Sequence, residues 1–361
     1  MEQPRKRRPL AATRAARVSV VVPSHNYGRF LRPAVTSVLD QHGVDVDVLI
    51  IDDASTDETP EVADGLAKAD RRVTFVRHLT NAGHIATFNE GLAAAEGEYV
   101  VKLDADDLLT PGALERATAL LDACPSVGFA YGHPVHFTGE GAPPAQCRQV
   151  ARSWAIWSGP SWVAERCRRG VNCVSNPEVV VRRSLLDEVG LLDARLPHTF
   201  DLEMWLRLAS VADVGWIAGA DQAFYRIHGA SFQRTIHAGI LTDLRGRRDA
   251  FAAFFEGLGG HLPVAAELDA AARRSMAADA LDRVCRAYDR GRTAEVPVDD
   301  LVAFALQVWP EAADLPGWRA LSRRRRIGPR LSAVAPPFVG RAVLRRVGEE
   351  FLARRWARSG V

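Results

Sequence analysis

Lysine, paired cysteines and long apolar runs are scarce in this chain of 361 residues. No apolar run approaches the roughly 18 residues that a membrane-spanning helix needs, so we do not expect an integral membrane protein. The five cysteines are odd in number and include no Cys-x-x-Cys pair, which predicts neither a disulfide framework nor a zinc site and favours a reducing cytoplasm. The basic residues near the start are not followed by an apolar stretch, so they are not typical of a secretory signal.

Positive charge is distributed unevenly along the sequence. Lysine occurs only at positions 6, 68 and 102, so arginine supplies nearly all of the positive charge. The formal net charge is +2, but residues 1–17 carry about +5 and residues 319–361 about +10, which leaves about −13 on the rest. The sequence therefore predicts an acidic body with two basic ends, and we expect residues 1–17 to be a disordered basic tail.

Strand and helix patterns alternate from Val18 onward. The β-branched run 18–22, ended by Pro23, is typical of a strand buried on both faces. Strands separated by helices of about ten to fifteen residues indicate βαβ crossovers. We therefore expect an α/β fold with a doubly wound, mainly parallel sheet flanked by helices. The further predicted strands are 46–51, 73–76, 98–103, 127–131 and 178–182, and residues 223–228 close this half of the chain.

The remaining segments complete the predicted organisation. Glycine and proline predict a loop over residues 138–170, which contains three tryptophans that either pack or line an acceptor site: Trp154, Trp157 and Trp162. Beyond residue 238 the pattern is helical throughout. We therefore divide the chain into the tail, an α/β domain over residues 18–235 and an α-helical C-terminal region over residues 236–361.

Acidic and polar residues follow three of the predicted strands. Ligands of such sheets bind beyond the carboxyl ends of the strands, where residues 23–26, 52–57 and 104–107 are expected to meet. Asp104 and Asp106 have the spacing that lets two carboxylates face one Mg²⁺ or Mn²⁺ ion. Capping of the next helix is the alternative for this acidic cluster.

Asp52 and Asp53 allow two compatible interpretations. One carboxylate there could accept hydrogen bonds from a nucleotide base or ribose. Ser55 and Glu58 also have the spacing of a capping box for the helix that follows, so part of this segment is expected to serve the helix.

Five motifs occur in order with the spacing of a known family: 20–26 (Val-Val-Val-Pro-Ser-His-Asn), 50–57 (Ile-Ile-Asp-Asp-Ala-Ser-Thr-Asp), 81–83 (Asn-Ala-Gly), 97–100 (Gly-Glu-Tyr-Val) and 103–107 (Leu-Asp-Ala-Asp-Asp). Together they resemble a family 2 glycosyltransferase with the GT-A fold. The resemblance continues through residues 177–183, 201–207 and 225–228 and covers roughly residues 18 to 235.

The resemblance implies roles for the matching positions. The loop after the first strand would lie along the nucleotide, and Asp53 would bind the base. Asp201 would be the general base that deprotonates the acceptor. The remaining implied residues are Pro23, Ser24, His25, Asn26 and Asp104 for the nucleotide, and Asp104, Asp106 and His228 for Mn²⁺ or Mg²⁺.

Several positions depart from the family pattern or have a structural alternative. Phe200 precedes Asp201 where the family often has a second acid, and Glu203 is a rival base. Asp201 could be only a helix N-cap, and His228 only a packed loop residue. Phe88 stands where the family commonly has arginine, so the donor contacts of that helix stay open.

The arginine-rich end is predicted to form basic amphipathic helices. Five apolar residues there fall at helical spacing on one face: Val343, Leu344, Val347, Phe351 and Leu352. Packing of this face on the acidic body or on a second subunit is the interpretation we favour, and contact with an anionic membrane is the alternative. No recognition motif accompanies the arginines, so we expect no nucleic-acid partner.

The sequence thus predicts a metal-dependent, inverting glycosyltransferase. Its donor would be a nucleotide-diphosphate sugar, with UDP favoured over GDP or dTDP. The acceptor is open among a glycan, a lipid-linked sugar, a peptide and a small metabolite, and a homodimer is also left open. The expected location is the cytoplasm, with peripheral contact at the inner face of the membrane left open. The alternatives are a sugar-nucleotide nucleotidyltransferase, against which the missing glycine-rich loop argues, and a non-catalytic membrane-surface or partner-binding protein.

Overall fold

A computed structural model describes residues 3–229 and 239–361. The described residues belong to two units. The first unit takes its residues from 1–162, 173–236 and 357–360. The second takes its residues from 163–172, 237–356 and 361. No helix in the described ranges combines the length and the apolar character needed to span a membrane.

One sheet of ten strands organises the first unit, in the order β1-β8-β10-β7-β9-β5-β2-β3-β4, with β6 paired to β10. All strands except β6, β8 and β9 run in the same direction, which confirms the predicted doubly wound, mainly parallel sheet. The strands are β1 (Arg5–Arg7), β2 (Ala16–Ser24), β3 (Val44–Asp52), β4 (Val73–Arg77), β5 (Tyr99–Lys102), β6 (Leu108–Leu109), β7 (Val127–Thr138), β8 (Ser153–Trp157), β9 (Val180–Arg182) and β10 (Asp213–Ile227).

Helices connect and flank these strands. The central strand β2 is buried along nearly its whole length, as expected of a parallel strand with helices on both faces of the sheet. Its pairing with β3 and β5 brings three consecutive strand ends to one edge. The helices are α1 (Gly28–Leu39), α2 (Thr59–Ala69), α3 (His84–Ala94), α4 (Ala113–Ala123), α5 (Gly159–Arg169), α6 (Ser184–Val189) and α7 (Phe200–Val211).

Two helical glycines differ in the space around them. A Cβ atom on Gly91 of α3 would lie 2.2 Å from Cγ1 of Val21, so the absence of a side chain lets α3 approach β2. A Cβ atom on Gly65 of α2 would have Nη2 of Arg32 at 3.9 Å as its nearest neighbour. Close packing therefore requires glycine at 91 but not at 65.

The prediction of a disordered tail over residues 1–17 is wrong. Residues 5–7 form β1, which pairs antiparallel with β8, and β2 already begins at Ala16. The exposed edge of β8 offers unpaired backbone groups that a further strand satisfies. Arg5 adds an ion pair, since its Nη2 lies 2.8 Å from Oδ2 of Asp213.

The prediction of a loop over residues 138–170 is also wrong in part, because this range contains β8 and α5. Trp154, Trp157 and Trp162 are buried, so they do not form an open acceptor platform. Trp157 donates from Nε1 to the carbonyl oxygen of Ser359 at 2.8 Å, and Trp162 donates to the hydroxyl of Tyr131 at 3.2 Å. All three rings lie in the core, and the N–H groups of Trp157 and Trp162 find internal acceptors.

The predicted capping box is replaced by a different cap. Ser55 accepts a hydrogen bond from the amide of Asn26 at 2.8 Å instead of serving α2. Asp57 Oδ1 accepts the Thr59 amide at 3.0 Å, and its Oδ2 accepts the Gly28 amide at 3.1 Å. One carboxylate thus satisfies donors at the starts of both α1 and α2.

The described part of the second unit from residue 239 onward is helical, as predicted. Arg324 is buried and makes two hydrogen bonds to Asp289, at 2.7 and 3.0 Å, while its guanidinium lies 4.3 Å from the ring centroid of Phe338. Arg325 and Asp299 form a longer, exposed ion pair at 3.5 Å. The helices are α8 (Ile240–Glu256), α9 (Ala265–Asp289), α10 (Val298–Val308), α11 (Pro316–Ile327), α12 (Pro329–Ser332) and α13 (Pro336–Ser359).

The apolar residues of α13 were expected to pack. Val347, Phe351 and Leu352 are instead exposed, which contradicts packing of these three side chains within the chain. Packing on a second subunit stays a prediction. The side chains of Val343 and Leu344 lie outside the described residues. Arg355 does pack inward, with its Nη2 at 3.2 Å from Oε1 of the buried Glu165.

Candidate active site

The loops after β2 and β3 are joined by hydrogen bonds at the edge of the sheet. His25 Nδ1 lies 2.7 Å from the carbonyl oxygen of Asp53, and the Thr56 amide donates to Oδ1 of Asn26 at 2.8 Å. Asn26 and Ala54 are the two non-glycine residues with positive φ in the described chain, at 60° and 58°. Such backbone strain is maintained only where surrounding contacts fix it, and here it shapes two adjacent loops.

Pro23 and Ser24 lie at the carboxyl end of β2, as predicted, and both are buried. The hydroxyl of Ser24 has no hydrogen-bond partner within the residues that the structure describes. A buried polar atom without a partner is uncommon and is a candidate for contact with a ligand or water.

Asp53 holds the loop that follows β4. Its Oδ1 accepts hydrogen bonds from the Ala82 amide at 2.7 Å and is 2.8 Å from Nδ1 of His78, and its Oδ2 accepts from the Gly83 amide at 2.9 Å. Desolvation would raise the pKa of Asp53, but these hydrogen bonds outweigh it and lower the pKa. The predicted nucleotide residue is therefore an ionised carboxylate that shapes the loop 81–83.

Asp106 and His228 come together, as the predicted metal site requires. Oδ2 of Asp106 lies 2.9 Å from Nε2 of His228, although the two residues are far apart in sequence. The imidazole packs against the rings of Tyr27 and Phe30, with centroids 5.8 and 5.0 Å away. Tyr27 directly follows the 23–26 loop, so the aromatic contact places this pair beside the predicted nucleotide loop.

Asp104 lies beside the same pair but has different neighbours. Its Oδ2 accepts a hydrogen bond from Nδ2 of Asn176 at 3.2 Å, and its Oδ1 lies 3.8 Å from Nε2 of His84. Desolvation raises the pKa of Asp106, the His228 contact lowers it, and the charge of Asp104 raises it. Repulsion between the two carboxylates is the electrostatic condition that a bound cation relieves.

Asp107, the third acid of the cluster, stabilises the fold through a backbone contact. It is buried and its Oδ1 accepts the Arg226 amide at 2.7 Å. Arg226 in turn donates from Nε to the carbonyl oxygen of Asp106 at 2.9 Å. These contacts fasten the acidic loop to β10 and fix the backbone between Asp104 and Asp106.

A divalent ion at this site would need further ligand atoms from outside the protein. Two neighbouring ligands of an octahedral ion with bonds of about 2.1 Å lie about 3 Å apart, which matches the 2.9 Å between Asp106 and His228. Within the described ranges, no three histidine, cysteine or acidic side chains are arranged to hold a metal by themselves. Mg²⁺ commonly uses one or two carboxylates and completes its shell with water and phosphate oxygens.

Asp201 lies in the first turn of α7, where its Oδ1 accepts the Leu202 amide at 2.8 Å. Desolvation raises the pKa of Asp201 to about 6, against the lowering effects of the Leu202 amide and the charge of Lys102. The charge of Asp104 raises it further, which places Asp201 in the electrostatic field of the acidic loop. A carboxylate with this pKa is ionised near pH 7 and still basic enough to accept a proton.

Glu203, the rival base, is part of the framework. It is buried, and its Oε1 accepts a hydrogen bond from Nε of Arg207 at 2.6 Å. Arg207 also donates to the carbonyl oxygens of Gly190 at 3.0 Å and Leu191 at 2.7 Å. The pair therefore orients the segment before α7.

Lys102 is a buried charge that the sequence analysis missed. Its Nζ lies 3.8 Å from the ring centroid of Phe88 and 4.7 Å from that of Phe200, with no hydrogen-bond partner in the described ranges. Desolvation lowers the pKa of Lys102, while Asp104 and Asp201 raise it. The sequence offers one indication of its importance. Lysine is rare in this chain, and one of the three lysines stands directly before the Leu-Asp-Ala-Asp motif.

Glu178 is a second buried group that the sequence did not single out. Its Oε1 accepts the Ser175 amide at 2.6 Å, and desolvation raises its pKa to about 7. The charge of Asp201 contributes to this rise, so Glu178 belongs to the same electrostatic neighbourhood.

The sequence model described as Glycosyl transferase family 2 matches residues 19–174, which contain both strand-end loops and the acidic loop. The matched range spans less than half of the chain, and within it the sequence is similar to family 2 glycosyltransferases. The chain is 25% identical over 220 residues to an "uncharacterized glycosyltransferase" of Haemophilus influenzae, covering 59% of this chain and 66% of the relative. It is 33% identical over 98 residues to glycosyltransferase GlyG of Streptococcus pneumoniae, covering 27% of this chain and 33% of GlyG. The chain thus spans between a third and just under two thirds of these relatives.

A solved structure has a similar fold. TarS 1–349 of S. aureus in complex with UDP-GlcNAc is similar with a TM-score of 0.59 and 17% identity, over 86% of this chain and 92% of TarS. At this identity the likeness shows the fold alone. It confirms the predicted GT-A type of α/β fold.

Proposed function

We propose that the chain transfers a sugar from a nucleotide-diphosphate donor to an acceptor nucleophile, with inversion at the anomeric carbon. The observation that carries the proposal is the acidic loop in which Asp104 and Asp106 lie at a strand end, with His228 on Asp106 and Asp201 in the same electrostatic field. The match of residues 19–174 to the glycosyl transferase family 2 model and the GT-A fold support this assignment.

The donor half of the site would consist of the strand-end loops. Pro23, Ser24, His25 and Asn26 would line the nucleotide, and the buried Ser24 hydroxyl supplies a polar group without an internal partner among the described residues. Asp53 would act mainly by holding the loop 81–83 against the base. UDP is the nucleotide that we favour, since TarS is seen with UDP-GlcNAc.

Asp104, Asp106 and His228 would hold Mn²⁺ or Mg²⁺ together with the diphosphate oxygens of the donor. A divalent ion there offsets the negative charge that grows on the leaving diphosphate. Asp107 keeps the backbone of the two carboxylates in place through its contact with the Arg226 amide.

Asp201 would act as the general base. The acceptor oxygen forms a bond to the anomeric carbon as the bond from that carbon to the diphosphate oxygen breaks. The acceptor proton passes to Asp201, and the nucleoside diphosphate leaves with the electron pair. The pKa of about 6 makes Asp201 ionised before transfer at neutral pH and able to take up this proton.

Thermal unfolding with UDP, GDP or dTDP, each with and without Mn²⁺, tests the donor site. A ligand at 100 times its dissociation constant stabilises the native state by about 2.7 kcal/mol. We expect one nucleotide to raise the unfolding midpoint only with Mn²⁺, and Asp106→Asn to abolish the rise. Asp64→Ala, which removes an acid paired with Lys68 on the surface of α2, should retain it. No rise with any nucleotide would contradict the proposal.

A further inference from the structure

Exposed apolar side chains are concentrated near the end of the second unit. Of twelve exposed large hydrophobic residues in the described chain, six lie between positions 327 and 352. Soluble surfaces usually carry such residues singly, so this concentration requires an explanation. The six are Ile327, Leu331, Val334, Val347, Phe351 and Leu352, of which Leu331, Val334 and Phe351 are 62%, 71% and 69% exposed.

Arginines accompany these apolar residues. Residues 319–356 contain eleven arginines and two glutamates, which gives about +9. On α13, Val347, Phe351 and Arg354 have the spacing i, i+4 and i+7, which places them on one helix face. Apolar and cationic groups therefore share the same exposed surface.

Several of the arginines whose side chains the structure describes are not paired within the unit. Arg324 and Arg355 are engaged by the buried acids Asp289 and Glu165, and Arg325 has a distant, exposed partner. Within the residues that the structure describes, the exposed side chains of Arg323, Arg326 and Arg330 make no ion pair. Their charge is available to a partner.

We propose that residues 319–356 bind an anionic lipid surface. Arginines attract acidic headgroups, and leucine, valine and phenylalanine beside them enter the boundary with the acyl chains. A nucleic-acid backbone would pair with the arginines but would leave the exposed apolar side chains in water. The proposal does not depend on the proposed reaction.

Sedimentation of the full chain with lipid vesicles tests the proposal. The probes are neutral phosphatidylcholine vesicles and vesicles containing about 30 mole per cent phosphatidylglycerol. We expect binding only to the anionic vesicles, and weakening as NaCl rises to about 0.5 M, where the Debye length is only a few ångströms. Equal or absent binding to both vesicle types would overturn the proposal.

Matched variants separate the apolar contribution to vesicle binding from the electrostatic one. Phe351→Ser should weaken vesicle binding about tenfold through lost apolar burial, whereas Leu79→Ser removes a 97% exposed leucine of the first unit and should change nothing. Arg326→Gln and Arg330→Gln together should weaken binding about 25-fold, since each lysine or arginine near an anionic surface contributes about fivefold. Arg71→Gln, on the surface of the first unit, is the charge control.

Two other outcomes would assign the surface differently. A dimer in solution that Phe351→Ser converts to a monomer, with no vesicle binding, would mean that a second copy covers these residues. Duplex DNA that binds as tightly as anionic vesicles, with affinity unaffected by Phe351→Ser, would mean a purely electrostatic surface. Either result overturns the proposal.

Discussion

Lowering the pH should slow the proposed sugar transfer through protonation of Asp201. With a pKa of about 6, Asp201 is about nine-tenths ionised at pH 7 and about one-tenth ionised at pH 5. If the reaction needs the carboxylate, kcat/KM should fall about tenfold between these two pH values. A carboxyl with the ordinary aspartate pKa would lose less than about a tenth of its ionised fraction over the same range.

The assay is release of nucleoside diphosphate from the donor, measured as kcat/KM between about pH 4.5 and 8 at saturating Mn²⁺. This parameter reports the pKa of the free protein, which is the state that the structure describes. Lys102→Met removes a charge that lowers the pKa of Asp201, so it should move the acid limb to higher pH.

Glu178→Gln is the matched control, because Glu178 is a neighbouring buried carboxyl with a pKa of about 7. The acid limb should persist in this variant if Asp201 is the base. A profile that is flat between about pH 5 and 7, or a limb that disappears in Glu178→Gln, would refute the assignment.

Three further predictions concern stability. The pKa of Glu178 is raised to about 7 in the folded chain. The free energy of unfolding should therefore fall as the pH rises from the unfolded pKa to the folded one, by up to about 3 kcal/mol in total. Glu178→Gln should remove that part of the pH dependence in urea titrations. Asp289→Ala should cost about 3–5 kcal/mol because it leaves a buried arginine unpaired, whereas Arg325→Ala at an exposed pair should cost less than about 0.5 kcal/mol; equal losses in denaturant titrations would contradict this. Gly65→Ala should stabilise α2 by about 0.5–1 kcal/mol, whereas Gly91→Ala should cost about 1–3 kcal/mol through overpacking; calorimetric midpoints that move in the same direction would contradict the packing described.

Local patterns predicted the parts of the fold that depend on local sequence. The β-branched run of β2 and the proline after Thr59 determine a strand and a helix start without reference to distant residues. The rule that ligands bind at strand ends then singles out Asp104 and Asp106 from the sequence alone.

Other features depend on contacts that the sequence does not display. Trp154 and Trp157 occupy a glycine- and proline-rich segment, and their strand exists because β10 pairs with it. The basic residues of β1 form a strand because the edge of β8 is available. In both cases tertiary pairing overrides local composition.

The site shows the same division. Asp106 and His228, which the resemblance places in one metal site, are in contact. The burial of Lys102 depends instead on two rings, Phe88 and Phe200, that α3 and α7 place over it. Glu203 is distinguished from Asp201 only by its hydrogen bond to Arg207, which periodicity does not reveal.

The most direct test of the central claim is release of nucleoside diphosphate from a panel of UDP-, GDP- and dTDP-sugars with Mn²⁺, compared between the wild-type chain and Asp201→Asn. We predict that the wild type turns over one donor class and that Asp201→Asn lowers the rate by about 10² to 10⁴, the range typical of a lost general base. Nucleotide-dependent stabilisation should survive in this variant, because Asp201 is not placed on the nucleotide. Turnover by Asp201→Asn at the wild-type rate, or no turnover of any donor by the wild type, would contradict the account.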